Sequence, residues 1–173
     1  LLLCPMLANA QRLNLAGTWR FAIDRAEMGV KDAWYNSSLK DNVQLPGSML
    51  TNGRGDDITV DTPWMGSMND STYFKDSCYA QYRRAGNIKV PFWLQPDKYY
   101  AGVAWYQRDI DVPADWKDKS IKLFFERSHW QSRLWIDGQE IGMQDALSAP
   151  HEYDLTGKLA PGHHVISVRV DNK

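Results

Sequence analysis

The sequence predicts an all-β protein built as an antiparallel sandwich or barrel. Short runs alternate apolar and polar residues with a period of two, which is typical of strands that have one buried face. These runs follow one another closely, with Gly, Pro and Asp turn signals between them and almost no long helical pattern. With 173 residues, the chain is long enough to bury a core as one domain.

The first half of the chain contains one clear strand pattern. Residues 15–24 place Trp19, Phe21 and Ile23 on one face of a predicted strand. Residues 31–39 are predicted to form a short helical turn. A turn follows at Leu45-Pro46-Gly47-Ser48, because Pro fixes φ and Gly accepts positive φ.

The second half of the chain predicts strands in quick succession. Asp137-Gly138 lies between two apolar runs, which indicates a tight hairpin turn. Short turns are also predicted at residues 113–116 and 154–156. The predicted strands cover residues 105–112, 120–127, 132–137, 139–143 and 164–171.

Residues 52–101 are predicted to form a long ordered insertion, called here the aromatic insertion. Its Gly, Asp, Asn and Pro content is too irregular for a regular element, but its density of rings is too high for a disordered linker. The whole chain contains 8 Trp, 8 Tyr and 5 Phe, so rings are needed in a core or on a binding surface. Long ordered loops in compact domains usually serve function.

Carbohydrate is the ligand that this composition favours. Sugar rings stack their apolar faces on Trp and Tyr, while Asp, Asn and Arg bind the hydroxyl groups. The candidate carbohydrate-binding residues are Asp56, Asp57, Trp64 and Trp93 in the insertion, with a second patch at His129 and Trp130.

Each candidate has a structural alternative. A single ring of the insertion can pack it onto the sandwich, and Trp130 can pack under its own loop. Asp56 and Asp57 can cap a turn or bind a cation.

No catalytic apparatus is predicted within the chain. A glycosidase needs two carboxyl groups that face one bond, whereas neighbours such as Asp56 and Asp57 point to opposite faces of a strand. The 4 His residues lack zinc-site spacing, and neither a nucleophile elbow nor a phosphate loop occurs. The sequence therefore predicts no catalytic residue, no metal site and no cofactor. The net charge of -1 argues against nucleic-acid binding.

Residues 1–10 are predicted to be the tail of a secretory signal peptide. An apolar stretch ends in Ala8-Asn9-Ala10, the small-x-small pattern that a signal peptidase accepts. Cleavage would leave the domain as residues 11–173 in a secreted or periplasmic protein, with Cys78 lacking a disulfide partner. The alternative is a buried N-terminal segment. No other stretch approaches the apolar length of a membrane span.

Several short motifs occur in order between residues 15 and 172. They are Leu15-Ala16-Gly17-Thr18-Trp19-Arg20-Phe21, Leu45-Pro46-Gly47-Ser48, Ala101-Gly102-Val103-Ala104-Trp105-Tyr106-Gln107-Arg108, Val112-Pro113-Ala114-Asp115-Trp116, Leu134-Trp135-Ile136-Asp137-Gly138-Gln139-Glu140-Ile141-Gly142 and Pro150-His151-Glu152-Tyr153-Asp154-Leu155-Thr156. Together they resemble the N-terminal sugar-binding domain of glycoside hydrolase family 2, which includes β-galactosidases, β-glucuronidases and β-mannosidases. The aromatic insertion departs from the pattern, since it is longer and richer in rings than in the best-known members.

The resemblance implies a jelly-roll (galactose-binding-like) sandwich that precedes an immunoglobulin-like domain and a TIM barrel. In that family a pair of Glu residues in the barrel performs retaining catalysis, and its acid/base Glu follows an Asn. No Glu follows an Asn in this chain. The resemblance also implies a further strand after Lys173, so an exposed sheet edge is expected.

Three hypotheses of function follow. In the first, the chain is the N-terminal part of a secreted or periplasmic exo-glycosidase and shapes the rim of the active site. In the second, it is a stand-alone, non-catalytic carbohydrate-binding module. In the third, it is a structural domain that supports its neighbours or a homo-oligomer interface.

Overall fold

The computed structural model describes residues 10–59, 61–62, 72–89 and 97–173. Its regular structure is almost entirely β. Short helices cover Thr72–Lys75 (α) and Trp34–Asn36, Ser77–Arg83 and Ala114–Trp116 (3-10). The strands of this part of the chain are β1 (Gly17–Asp24), β2 (Asp41–Leu45), β3 (Asp56–Asp57), β4 (Lys98–Tyr99), β5 (Val103–Val112), β6 (Lys122–Phe125), β7 (Gln131–Ile136), β8 (Gln139–Asp145), β9 (His151–Asp154) and β10 (Gly162–Asp171).

The strands form one large antiparallel sheet and two strand pairs. The large sheet has the order β2-β1-β5-β10-β7-β8, and β6 pairs with β9. The inner face of the large sheet packs on the β6–β9 pair around one hydrophobic core. The predicted all-β sandwich is therefore confirmed.

Alternation of apolar and polar residues builds this core, as the sequence predicts. Ile166 and Val168 on β10 are buried, and so is Leu134 on the neighbouring strand β7. Leu123 and Tyr153 contribute from the opposite strand pair. The hairpin between β7 and β8 also follows the prediction, because Asp137 and Gly138 both have positive φ, at 49° and 78°.

The outer face of the large sheet carries a second, aromatic cluster. Trp105 and Trp135 are buried there, with ring centroids 5.0 Å apart. The segment after β1 covers them, and the ring of Tyr35 stacks on Trp135 at 5.2 Å with an interplanar angle of 2°. Part of the unusual Trp content therefore serves packing rather than binding.

The side chain of Gln107 joins the segment that covers the aromatic cluster, residues 34–39, to the large sheet through hydrogen bonds. Its side chain is buried on β5, where Oε1 accepts the N–H of Leu39 at 3.0 Å. Its Nε2 donates to the carbonyl oxygens of Trp34 and Ser37 at 3.0 and 2.8 Å, and lies 3.0 Å from Ser167 Oγ.

Replacing Gln107 by Ala is expected to lower the free energy of unfolding by about 2–3 kcal/mol, because it leaves buried backbone groups without partners. Chemical denaturation followed by Trp fluorescence would measure the change. Gln139→Ala is a control, since Gln139 is exposed at the β7–β8 hairpin. A Gln107→Ala loss no larger than that of the control would contradict this account.

Four strands, β2, β3, β4 and β9, were not predicted. β3 and β4 have two residues each, too few to show alternation. β2 and β9 were missed because their inward residues are not typical of strands. In β2 a single residue, Val43, is fully buried. In β9 the inward residues are His151 and Tyr153, so the alternation is hidden behind polar atoms. The helical turn predicted over residues 31–39 is shorter in the structure, where Trp34–Asn36 forms a 3-10 helix.

In the part of the chain that the structure describes, the large sheet ends at β2 and β8, and β10 lies in its interior. Among the described residues, the outer edge of β6 has no strand partner. A closing strand after Lys173 stays a prediction. The predicted signal-peptide tail lies outside the described residues except for Ala10. No helix in the described part of the chain has the length and apolar character needed to cross a membrane.

Candidate functional site

Four strands of the large sheet end side by side at one end of the sandwich. Asp24 on β1 pairs with Val103 on β5, which pairs with Asp171 on β10, which pairs with Gln131 on β7. The loop after β1, the strand β4 and the chain after β10 therefore meet at this end. We call the charged surface there the insertion rim, formed by Arg25, Glu27, Asp56, Asp57, Lys98 and Lys173.

Asp56 is held by the loop after β1. Arg25 binds it with two hydrogen bonds, from NH2 to Oδ1 at 2.5 Å and from NH1 to Oδ2 at 3.1 Å. The guanidinium also lies over the ring of Tyr100, 5.3 Å from its centroid. Both charged side chains stay more than half exposed, at 56% and 54%, so the oriented pair faces solvent.

The Arg25 hydrogen bond holds the pKa of the Asp56 carboxyl below its ordinary value. Asp56 is therefore ionised at neutral pH. A general acid in glycoside hydrolysis needs a raised pKa, so Asp56 is not suited to protonate a leaving group. Its chemistry is to accept hydrogen bonds, including those of sugar hydroxyl groups.

Asp57 takes a different partner on a different element. Lys98 Nζ lies 2.5 Å from Asp57 Oδ1, and β3 pairs with β4 so that Asp57 is opposite Lys98 and Asp56 is opposite Tyr99. The suggestion that the two carboxylates cap a turn is wrong, because they form a short strand. They also bind basic side chains separately, so they are not a catalytic pair.

The chain after β10 closes the same end. Asn172 Oδ1 accepts the N–H of Gly102 at 2.6 Å, and its Nδ2 donates to the carbonyl of Tyr100 at 3.0 Å. Lys173 Nζ lies 2.5 Å from Glu27 Oε1. The side-chain amide of Asn172, which follows β10, thus joins β10 to the C-terminal end of the aromatic insertion.

The second predicted patch reaches this end through its backbone. The N–H of Trp130 donates to the carbonyl of Asp171 at 3.0 Å. The Trp130 side chain is 41% exposed and contacts His129 edge-on, with centroids 5.6 Å apart. The suggestion that Trp130 packs beneath its loop is therefore wrong, and the ring is accessible to a ligand.

Residues 72–89 of the aromatic insertion are joined by hydrogen bonds to one another. Tyr73 is buried, and its hydroxyl donates to the carbonyl of Tyr82 at 2.9 Å. Arg83 donates to the Tyr73 carbonyl and to the Asp76 carbonyl. Two further candidates, Trp64 and Trp93, lie outside the described residues.

The sequence analysis did not predict Glu27 or the basic residues of the insertion rim. Arg25, Lys98 and Lys173 are separated along the chain, and no local motif joins them to Asp56 or Asp57. Their pairing depends on strand ends that meet only in the folded sheet. No group of three or more His, Cys, Asp or Glu residues within the described ranges is arranged to hold a metal ion.

A cavity of about 480 Å³ lies away from the rim, between the β7–β8 hairpin and the loop at Gly157 and Lys158. Its lining residues are Ile136, Asp137, Gln139, Glu140, Ile141, Gly157 and Lys158. Stacking on a sugar needs an aromatic ring, and this lining has none, so the rim is the better candidate.

Comparison with known proteins supports a carbohydrate role for the domain. The family model "Glycosyl hydrolases family 2, sugar binding domain" matches residues 12–172. The β-galactosidase of Arthrobacter sp. (strain B7) is 26% identical over 167 residues, covering 94% of this chain and 16% of that protein. The β-galactosidase of Aeromonas hydrophila subsp. hydrophila is 27% identical over 171 residues, covering 95% of this chain and 15% of that protein.

Solved structures share the fold. A β-glucuronidase from an uncultured Clostridium sp. superposes with a TM-score of 0.62 at 24% identity, covering 99% of this chain and 24% of that one. The chain spans about a sixth of the two β-galactosidases and about a quarter of this β-glucuronidase. Because the family model matches nearly its whole length, the chain belongs to glycosyl hydrolases family 2 and forms the sugar-binding domain of that family.

Proposed function

We propose that this domain shapes the sugar site of a secreted or periplasmic retaining glycoside hydrolase, which hydrolyses O-glycosidic bonds during carbohydrate breakdown. The domain itself performs no catalytic step. The observation that carries the proposal is the solvent-facing Arg25–Asp56 pair, which lies at the same end of the sandwich as the exposed Trp130. The catalytic carboxylates belong to downstream domains of the same polypeptide.

The pair at the rim has the chemistry that sugar hydroxyl groups require. A hydroxyl can donate to the Asp56 carboxylate and accept from the Arg25 guanidinium. Because the two side chains already hold each other, less conformational entropy is lost when a sugar binds.

The charges of the rim favour an uncharged glycoside. Its basic residues Arg25, Lys98 and Lys173 are each paired with a rim carboxylate, so they offer little excess positive charge to an acidic sugar. The relatives from Arthrobacter sp. and Aeromonas hydrophila, which match over 94% and 95% of this chain, are named β-galactosidases. A β-galactoside is therefore the substrate class proposed.

Export is proposed from the apolar stretch that ends in Ala8-Asn9-Ala10. N-terminal sequencing of the protein purified from its host would test it. A mature protein that begins at Gln11 is expected, and retention of residues 1–10 would contradict export by this signal.

The full-length enzyme carrying Asp56→Asn tests the proposed site. We expect kcat/KM for an aryl β-galactoside to fall about tenfold, since one charge-assisted hydrogen bond to the substrate is lost. Glu152→Gln is the matched control, because the Lys122–Glu152 pair is similarly exposed, at 62% and 52%, on the outer face of the β6–β9 pair. The control should keep the kinetics of the parent.

Binding to the isolated domain separates the remaining roles. Calorimetric titration with lactose that shows binding, together with unchanged kinetics of the Asp56→Asn enzyme, would favour a stand-alone carbohydrate module. Unchanged kinetics with no binding would favour a structural domain that supports its neighbours or a homo-oligomer.

A further inference from the structure

Within residues 10–59, 61–62, 72–89 and 97–173, the strand β2 forms one edge of the large sheet. It pairs with β1 on one side, with Gly17 opposite Leu45 and Phe21 opposite Asp41. An edge strand exposes a row of backbone N–H and C=O groups, and these can pair with a strand of another molecule. The opposite edge strand of the large sheet is β8. It contacts β9, because the Gln144 side chain on β8 donates to the carbonyl of Glu152 on β9 at 3.2 Å.

The outward-facing backbone groups of β2 belong to alternate residues. In an antiparallel edge strand, every second residue directs both its polar groups away from the partner strand. On β2 these residues are Asn42 and Gln44, since their backbone groups bond to side chains that lie beyond the sheet.

Asn52 binds both outward groups of Gln44. The N–H of Gln44 donates to Asn52 Oδ1 at 2.7 Å, and Asn52 Nδ2 donates to the carbonyl of Gln44 at 3.0 Å. A residue of a neighbouring strand would make the same two bonds through its own C=O and N–H. The side-chain amide of Asn52 thus occupies the position of a seventh strand at this residue.

Arg54 binds the next outward-facing residue along β2, which is Asn42. Its NH2 donates to the carbonyl of Asn42 at 3.1 Å, and its NH1 lies 3.7 Å from Asp41 Oδ1. The carboxylate orients the guanidinium along the edge. Three of the four outward groups of Asn42 and Gln44 are therefore bonded to side chains.

The turn after β2 is built to deliver Asn52 to this edge. The N–H of Ser48 donates to Thr51 Oγ1, the N–H of Thr51 donates to Ser48 Oγ, and Asn52 Nδ2 also donates to the carbonyl of Ser48 at 2.8 Å. Gly47 has φ 159°, and a Cβ there would lie 3.0 Å from the carbonyl oxygen of Gln44 and 3.4 Å from Asn52 Nδ2. A side chain at Gly47 would therefore crowd the cap.

We propose that Asn52 and Arg54 form a side-chain cap that closes the β2 edge against strand pairing with a second copy of this chain. The cap is independent of the carbohydrate function. It explains why the turn after β2 folds back onto that strand, and it assigns a role to two residues outside the insertion rim.

The Asn52→Ala, Arg54→Ala double variant tests the cap. Exchange of the Gln44 amide hydrogen, followed by NMR, is expected to become about tenfold faster than in the parent, because its partner is lost. Light scattering after size-exclusion chromatography should show self-association that grows with protein concentration. Asn87→Ala is the matched control, since Asn87 Nδ2 also donates to a backbone carbonyl, that of Gln81 at 2.9 Å, but away from the sheet edge.

Asn52→Asp provides a variant of unchanged size if the double variant does not fold. It keeps the acceptor for the Gln44 N–H but places an oxygen against the carbonyls of Gln44 and Ser48, so association should again exceed that of the parent. If the folded variants associate no more than the parent, whether or not Gln44 exchanges faster, the proposed protection is overturned.

Discussion

Replacing Asp24 by Ala is expected to lower the free energy of unfolding by about 3–5 kcal/mol, because the Asp24 carboxylate is the acceptor for several buried donors. It is almost completely buried at the end of β1. The N–H groups of Met28 and Gly29 donate to it at 2.9 and 2.7 Å, and Trp105 Nε1 donates at 3.1 Å. Removal would leave these groups unpaired and loosen the loop that carries Arg25.

Urea denaturation followed by circular dichroism would measure the Asp24 effect. Asp154→Ala is the control, because Asp154 is an exposed carboxylate that accepts a hydrogen bond from the N–H of Thr156. Gly29→Ala is a second approach to the same network, since a Cβ at Gly29 would lie 2.4 Å from Trp105 Nε1 and 2.7 Å from Asp24 Oδ2. If Asp24→Ala destabilised no more than Asp154→Ala, the carboxylate would not have the role assigned to it.

Replacing His151 by Ala is expected to lower the free energy of unfolding by about 3 kcal/mol, through a cavity and lost hydrogen bonds between the two layers of the sandwich. His151 is fully buried on β9. Its Nδ1 lies 2.6 Å from Ser132 Oγ on β7, and its Nε2 donates to the carbonyl of Ala146 at 3.0 Å. Tyr153 joins the network, since its hydroxyl donates to the carbonyl of Ser132 at 2.9 Å.

A double-mutant cycle with His151→Ala and Tyr153→Phe would test whether the network acts as one unit. Both side chains contact Ser132, so we expect their effects to be non-additive by at least about 0.5 kcal/mol. His163→Ala is the control, because His163 is exposed and lies near Asp109 and Asp111 on the outer surface. Strict additivity, or a loss for His151→Ala equal to that of the control, would show that the residues do not form a shared network.

Strands with apolar inward faces could be predicted residue by residue. Trp19 and Phe21 on β1, and Ile166 and Val168 on β10, are spaced two apart, and all are buried where the pattern placed them. Prediction failed at β9, where the inward residues are His151 and Tyr153. Their burial depends on Ser132, a partner from another strand, which no pattern within β9 reveals.

Of the six residues of the insertion rim, only Asp56 and Asp57 could be predicted from the sequence. Asp56 and Asp57 were named because of their residue type and their place in a ring-rich insertion. Arg25, which orients Asp56, lies 31 positions earlier in the chain, and the two meet because β1 ends beside the start of β5. Asn52 was not singled out at all, since its function as a cap exists only beside Gln44 at an open sheet edge.

The sequence by itself determined the all-β class, the β7–β8 hairpin and the family resemblance, because period-two alternation and turn residues act over a few neighbouring positions. The tertiary structure alone decided which charges pair at the insertion rim and that the Trp130 ring is exposed. It also decided how the β2 edge is closed. These outcomes depend on the contacts between strands that are distant in the chain, and on the burial of polar groups such as Asp24 and His151 that are stable there only with specific partners.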